Sequence, residues 1–113
     1  ARNHVAVAND GSRLLLNSGT SGTYVFDGAL AYLGAIPNVR WGVAIGPTRA
    51  GFRVSQSAVE QVNIETRSVT RTIPLPDTVE RAGFRSPFGR VSLSPDGLLL
   101  AVITERGIAL VRL

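Results

Sequence analysis

Cysteine is absent from this chain of 113 residues. That excludes a disulfide framework and any thiolate metal site. It leaves the compartment open, because exported and cytosolic proteins can both lack cysteine. Lysine is missing as well: all 12 basic residues are arginine. A GC-rich genome is the simplest account, though arginine also suits planar anions, which its fork binds at two points. Methionine is absent, even at the first position. Ala1 is therefore expected to be a processing point, a cleavage point or an imposed boundary. There is one histidine, so an imidazole metal site has no second member, and no metal or cofactor is expected. No run of 18 apolar residues exists, so no spanning helix is expected, and no signal-peptide pattern opens the chain. Sustained i, i+3, i+4 apolar spacing is also missing, which argues against helices. The net charge of +4 is scattered and no nucleic-acid motif is visible, so nucleic acid is not expected as a partner.

What the chain does have is a repeat. Val5-Ala6-Val7-Ala8-Asn9-Asp10-Gly11 returns as Val91-Ser92-Leu93-Ser94-Pro95-Asp96-Gly97. Between them lies a degraded copy, Val43-Ala44-Ile45 to Gly51, read with two extra residues in its turn. After each copy come a second apolar run, a turn of small residues and a third apolar run. A repeat of this length implies units that cannot bury their own apolar faces and must stack on neighbours. The expected class is all-β: about two and three-quarter four-stranded antiparallel units, stacked as β-propeller blades.

Short apolar runs bounded by Gly, Pro, Asn, Asp and Ser place the strands. The 12 glycines and 6 prolines suit so many turns. The first unit, residues 2–38, carries strands at 5–8, 14–17, 23–27 and 31–36. The second, residues 39–76, carries them at 41–45, 52–55, 59–64 and 69–74. A linker loop covers 77–88. The irregular stretch from Leu75 to Phe88 reads equally as functional or as a tolerated insertion. The incomplete third unit, residues 89–113, has strands at 90–93, 98–104 and 108–113 and no fourth. In the first strands, Val5, Val7, Val43, Ile45, Val91 and Leu93 alternate with small residues. Strands buried on both faces have this lack of polar positions.

Ser94-Pro95-Asp96-Gly97 followed by Leu100-Ala101-Val102-Ile103-Thr104 resembles the YVTN-type β-propeller repeat. Val62-Asn63-Ile64-Glu65-Thr66 leading to Thr72-Ile73-Pro74-Leu75 is similar to the second half of that repeat. So is Val25-Phe26-Asp27 leading to Leu33-Gly34-Ala35-Ile36-Pro37, and Pro87-Phe88-Gly89 resembles the usual lead-in. The YVTN tetrapeptide itself never appears, and the middle turn lacks the Asp-Gly pair. The resemblance implies a propeller fold and a periplasmic or extracellular location. It implies no single activity, because propellers host binding modules, lactonases, lyases and dehydrogenases alike.

No catalytic constellation is visible, and no catalytic residue is expected. His4, at the entry to a first strand, is a general base or ligand on one reading and incidental on the plainer one. Asp10 and Asp96 belong to turns; Asp77 and Glu80 lie unexplained in the long loop. One pattern does recur: arginine or an aromatic residue precedes each first strand. These are Arg2 and His4, then Arg40 and Trp41, then Arg85, Phe88 and Arg90. In a propeller they would crowd around the axis and suit an anionic ligand or an acidic partner loop. The plainer alternative has Trp41 and Phe88 filling the core and the arginines solvated.

The expected function is non-enzymatic: a propeller segment for protein association or ligand binding. Another polypeptide, missing blades or copies of itself would cover its open faces. The alternative is the C-terminal part of an extracytoplasmic propeller enzyme whose catalytic groups lie mainly on absent blades.

Overall fold

The computed structural model describes residues 4–79 and 89–113. Among them the chain is all-β, with eleven strands and no helix. β1 (His4–Val7), β2 (Arg13–Asn17), β3 (Gly22–Asp27) and β4 (Tyr32–Pro37) form an antiparallel sheet in chain order. β5 (Gly42–Ile45), β6 (Ala50–Val54), β7 (Ala58–Asn63) and β8 (Ser68–Pro74) form a second. β9 (Val91–Leu93), β10 (Leu99–Thr104) and β11 (Gly107–Arg112) form a third, with three strands. Every strand expected from the sequence is present, with its ends displaced by at most two residues.

The first and third units turn in the same way. In one, Gly11 donates to the Ala8 carbonyl (2.9 Å) and Ser12 donates to the Asp10 carboxylate (3.0 Å). In the other, Gly97 donates to the Ser94 carbonyl (2.9 Å) and Leu98 to the Asp96 carboxylate (3.0 Å). Both glycines have positive φ, 72° and 77°, a region that costs glycine little. The middle turn differs from its expected form. The residue that closes it is Arg49, whose amide donates to the Gly46 carbonyl (3.0 Å) at φ 62°. Arg49 therefore stands where Gly11 and Gly97 stand, six residues after Val43. The turn is one residue shorter than the others rather than two longer, and Gly51 lies inside β6 opposite Ile45.

Side chains alternate between the faces of a strand, so register assigns each residue to a face. Val43 and Ile45 of the second sheet pack with Leu15, Val25 and Ile36 of the first. The opposite face of the second sheet, with Ala44, Phe52, Val54 and Val59, packs on Leu100, Val102 and Val111 of the third. The second sheet is thus the middle layer. The face turned toward the preceding sheet is called leading here, and the face turned toward the following sheet trailing. Along each first strand the larger apolar residues are leading and the small ones trailing. The starts of the inner strands come very close: a methyl group on Gly42 would lie 2.1 Å from the Gly89 carbonyl oxygen. Only glycine fits that approach.

The start of the long loop has a structural role. Leu75 donates to the Ser57 carbonyl (2.9 Å) and Val79 to that of Gln56 (2.7 Å), both at the β6–β7 turn. On the other side the Arg106 amide donates to the Asp77 carboxylate (2.8 Å), and the Thr78 hydroxyl donates to Glu105 (3.0 Å). Val79 is fully buried between the second and third sheets. Residues 75–79 therefore strap these two sheets together. Asp77 is accounted for by this strap; Glu80 lies outside the described residues.

Candidate functional site

The residues expected to converge before the first strands have separate roles. Arg2, Arg85 and Phe88 lie outside the described residues. His4 opens β1, and its Nδ1 accepts a hydrogen bond from the Val43 amide (3.1 Å), tying the first sheet to the second. Trp41 packs against the core between the second and third sheets. Its Nε1 is buried with no hydrogen-bond partner among the described residues. Arg90 is exposed and sits beside a groove of about 220 Å³ on the third sheet, with Ser92, Ala101, Ile103 and Ile108. The three strand starts do meet at one end, as the approach of Gly42 to Gly89 and His4 shows.

Arg40 is turned inward. Its Nε and Nη2 make two parallel bonds to the Glu60 carboxylate, both 2.8 Å, and its Nη1 donates to the Val39 carbonyl (2.8 Å). Such a fork-to-fork pair is the stronger kind of ionic hydrogen bond. The same carboxylate takes a second cation, Arg53, at 2.9 Å. Arg53 is 1% exposed, and its Nη1 also donates to the Pro37 carbonyl (2.9 Å) on the first sheet. Asn17 and Thr23, both buried on the trailing face of the first sheet, complete the cluster. Asn17 donates to the Arg40 carbonyl (2.8 Å), and Thr23 accepts from Arg53 (3.3 Å).

The electrostatics follow from this packing. Hydrogen bonds from Arg40, aided by the charge of Arg53, hold the Glu60 carboxyl below its ordinary range although burial opposes them. The same bond raises Arg40. Burial lowers Arg53, with Glu60 opposing. A carboxylate fixed between two guanidinium groups is a poor proton shuttle, since its protonation breaks both pairs. The cluster works as a polar key in the junction of the first two sheets.

That key was legible only in part. Arg53 interrupts an apolar run, and Glu60 is placed symmetrically to it about the Ser55–Ala58 turn. The register pairs the two directly. A charge inside an apolar strand, with its opposite at the matching position across a turn, is the available signal.

The two outer faces remain unassigned. The leading face of the first sheet carries Val5 and Val7, 50% and 57% exposed, with Leu14, Leu16, Tyr24 and Phe26 beside them. Tyr32 stacks edge-on with Tyr24 and Phe26 at centroid distances of 6.2 and 5.8 Å. The trailing face of the third sheet carries Ile108 and Leu110, 71% and 64% exposed, with Ala101 and Ile103. Single exposed apolar residues are ordinary, whereas contiguous faces mark contact sites. No helix among the described residues is long and apolar enough to cross a membrane. No protein-family model matches the chain, and no curated protein matches it either.

Proposed function

We propose that this chain is a non-enzymatic stack of β-propeller blades of the YVTN type, whose work is association through its two outer faces. The observation that carries this reading is the contrast between inside and outside. Both internal junctions are sealed by sheet face against sheet face, while an apolar face of the same kind stands exposed at each end. The repeat supports the blade assignment: Val5, Val43 and Val91 occupy matching places in the three registers. Each outer face takes a further sheet, from more blades of a longer chain, from another polypeptide or from a copy of this one. The function assigns no chemistry to His4 or Arg90. An anionic ligand at the strand starts would compete with Glu60 for Arg40.

The test combines size with surface. Sedimentation velocity over a hundredfold range of concentration should show association, or the isolated 12.0 kDa chain should bind a hydrophobic dye strongly. Glutamate at Val7 and Leu110 should reduce both signals. A monomer that binds no dye and does not respond to these substitutions overturns the reading.

A further inference from the structure

We propose that a cleft in the second sheet binds a small hydroxy acid, with Arg49 gripping its carboxylate. The cleft encloses about 320 Å³ between the β5–β6 turn and the β7–β8 turn. Small-molecule pockets usually span about 300–1,000 Å³, so this one suits a small ligand. Thr48, Arg49, Gln61, Asn63 and Thr70 line it, with the buried Ile64 beneath them. All belong to the second sheet or its turns. The site is therefore separate from both outer faces and does not depend on what covers them.

Two independent observations single out Arg49. The first is its backbone. Its φ of 62° falls in a region that both sister turns give to glycine, Gly11 and Gly97. Its structural contacts do little to offset that strain. Nη1 lies 3.4 Å from the Ser12 hydroxyl and 3.5 Å from a Glu65 carboxylate oxygen, both beyond the usual range of about 2.7–3.2 Å. Strain of this kind clusters at ligand clamps and active sites. The second observation is charge. Arg13 already holds both Glu65 oxygens, each at 3.1 Å. Asp10 is close enough to feel Arg49, but its Oδ1 accepts from the Ser12 amide and hydroxyl. Arg67 is a third cation here, donating to the Glu65 carbonyl (3.2 Å). Three guanidinium groups thus stand against two carboxylates. Arg49, with its side chain 43% exposed, is the one that lacks a close partner among the described residues.

The ligand class follows from what the cleft offers. One surplus positive charge suits a monoanion, and the planar fork of arginine fits a carboxylate at two points. A phosphate dianion would leave charge unmatched. Beyond the guanidinium, the lining is polar and neutral. The Thr70 hydroxyl donates to the Gln61 carbonyl (3.2 Å) and keeps its lone pairs for accepting. The Asn63 Oδ1 accepts from the Glu65 and Thr66 amides (2.9 and 3.1 Å), which leaves its side-chain nitrogen to donate. The Thr48 hydroxyl and the Gln61 side-chain amide hold no hydrogen bond to any described residue. Donors mixed with acceptors match hydroxyl groups, which do both.

Glycerate is the probe. Propanoate lacks its hydroxyls, glycerol lacks its carboxylate, and inorganic phosphate tests the charge. Binding to the full chain is read by nuclear magnetic resonance, from the Arg49 Nε–H and Gln61 side-chain amide signals. Glycerate should move both saturably and bind about tenfold or more tighter than propanoate or glycerol. Arg49→Gly copies the sister turns, so the fold should hold. It should weaken glycerate by about tenfold or more, the loss expected when charge-assisted hydrogen bonds are removed, with Gln61 as the reporter. Arg49→Asn, which also tolerates this backbone conformation, replaces it if the glycine variant unfolds. A glycerate titration that moves neither signal, or a variant that binds as well as the wild type, overturns the site. Propanoate or glycerol binding as tightly as glycerate, or phosphate binding more tightly, overturns the ligand class.

Discussion

Arg53 occupies a place that the other two sheets fill with Leu16 and Val102. Charge there is a local departure from an otherwise apolar rule. A buried ion pair contributes modest net stability, but stranding one of its members is expensive. Glu60→Gln strands two guanidinium groups and should lower the unfolding free energy by about 3–5 kcal/mol, read from urea denaturation. Arg53→Met should cost less, because Glu60 keeps its bonds to Arg40. The double substitution Arg53→Met with Glu60→Met should recover part of the Glu60→Gln loss, since it strands one guanidinium, that of Arg40, in place of two. The pH dependence has a definite sign. Glu60 is held below its unfolded value, so its contribution is complete above the ordinary carboxylate value of about 4.3. It is lost as pH falls through the lowered folded value. Asp10, Asp77 and Asp96 are lowered as well and act in the same direction. The acid-side slope of stability should therefore shrink in Glu60→Gln without vanishing. An unchanged slope would remove Glu60 from the account.

At the scale of elements, the strands were readable because period-two alternation and Asn-Asp-Gly or Pro-Asp-Gly turns both act over a few residues. The middle turn was misread for a physical reason. Sequence points to glycine at a positive φ, and Gly51 was the nearest candidate, but Arg49 takes the left-handed conformation instead. That conformation is uncommon for a side chain of its kind. Arg49→Gly should relieve the local cost and stabilise the chain by about 1 kcal/mol, a shift measurable in the thermal midpoint. The strap at 75–79 was invisible because its bonds span distant turns, and nothing local in Leu75-Pro76-Asp77-Thr78-Val79 announces them. Val79→Ala should cost about 1–3 kcal/mol through the cavity it leaves. Asp77→Ala should speed hydrogen exchange at the Arg106 amide, which now donates to that carboxylate, while leaving the amides of β1 and β2 unchanged. The Arg53–Glu60 pair escaped the sequence reading, because the two charges stand seven residues apart and only the register joins them.

On the scale of the whole molecule, two junctions hold three sheets and they differ in chemistry. One is polar at its key and the other is packed with hydrocarbon. Acid should therefore loosen the first junction more than the second, because it protonates Glu60, whereas cooling weakens the apolar one. The chain carries its own reporters for telling these events apart. Its sole tryptophan, Trp41, is packed against the core between the second and third sheets, so its emission should shift to the red when that seam parts. Both tyrosines, Tyr24 and Tyr32, stand together on the exposed side of the first sheet, so their absorbance should change when something settles there. Two wavelengths thus read an inner seam and an outer face of the stack in one unlabelled sample, without a dye or an engineered probe.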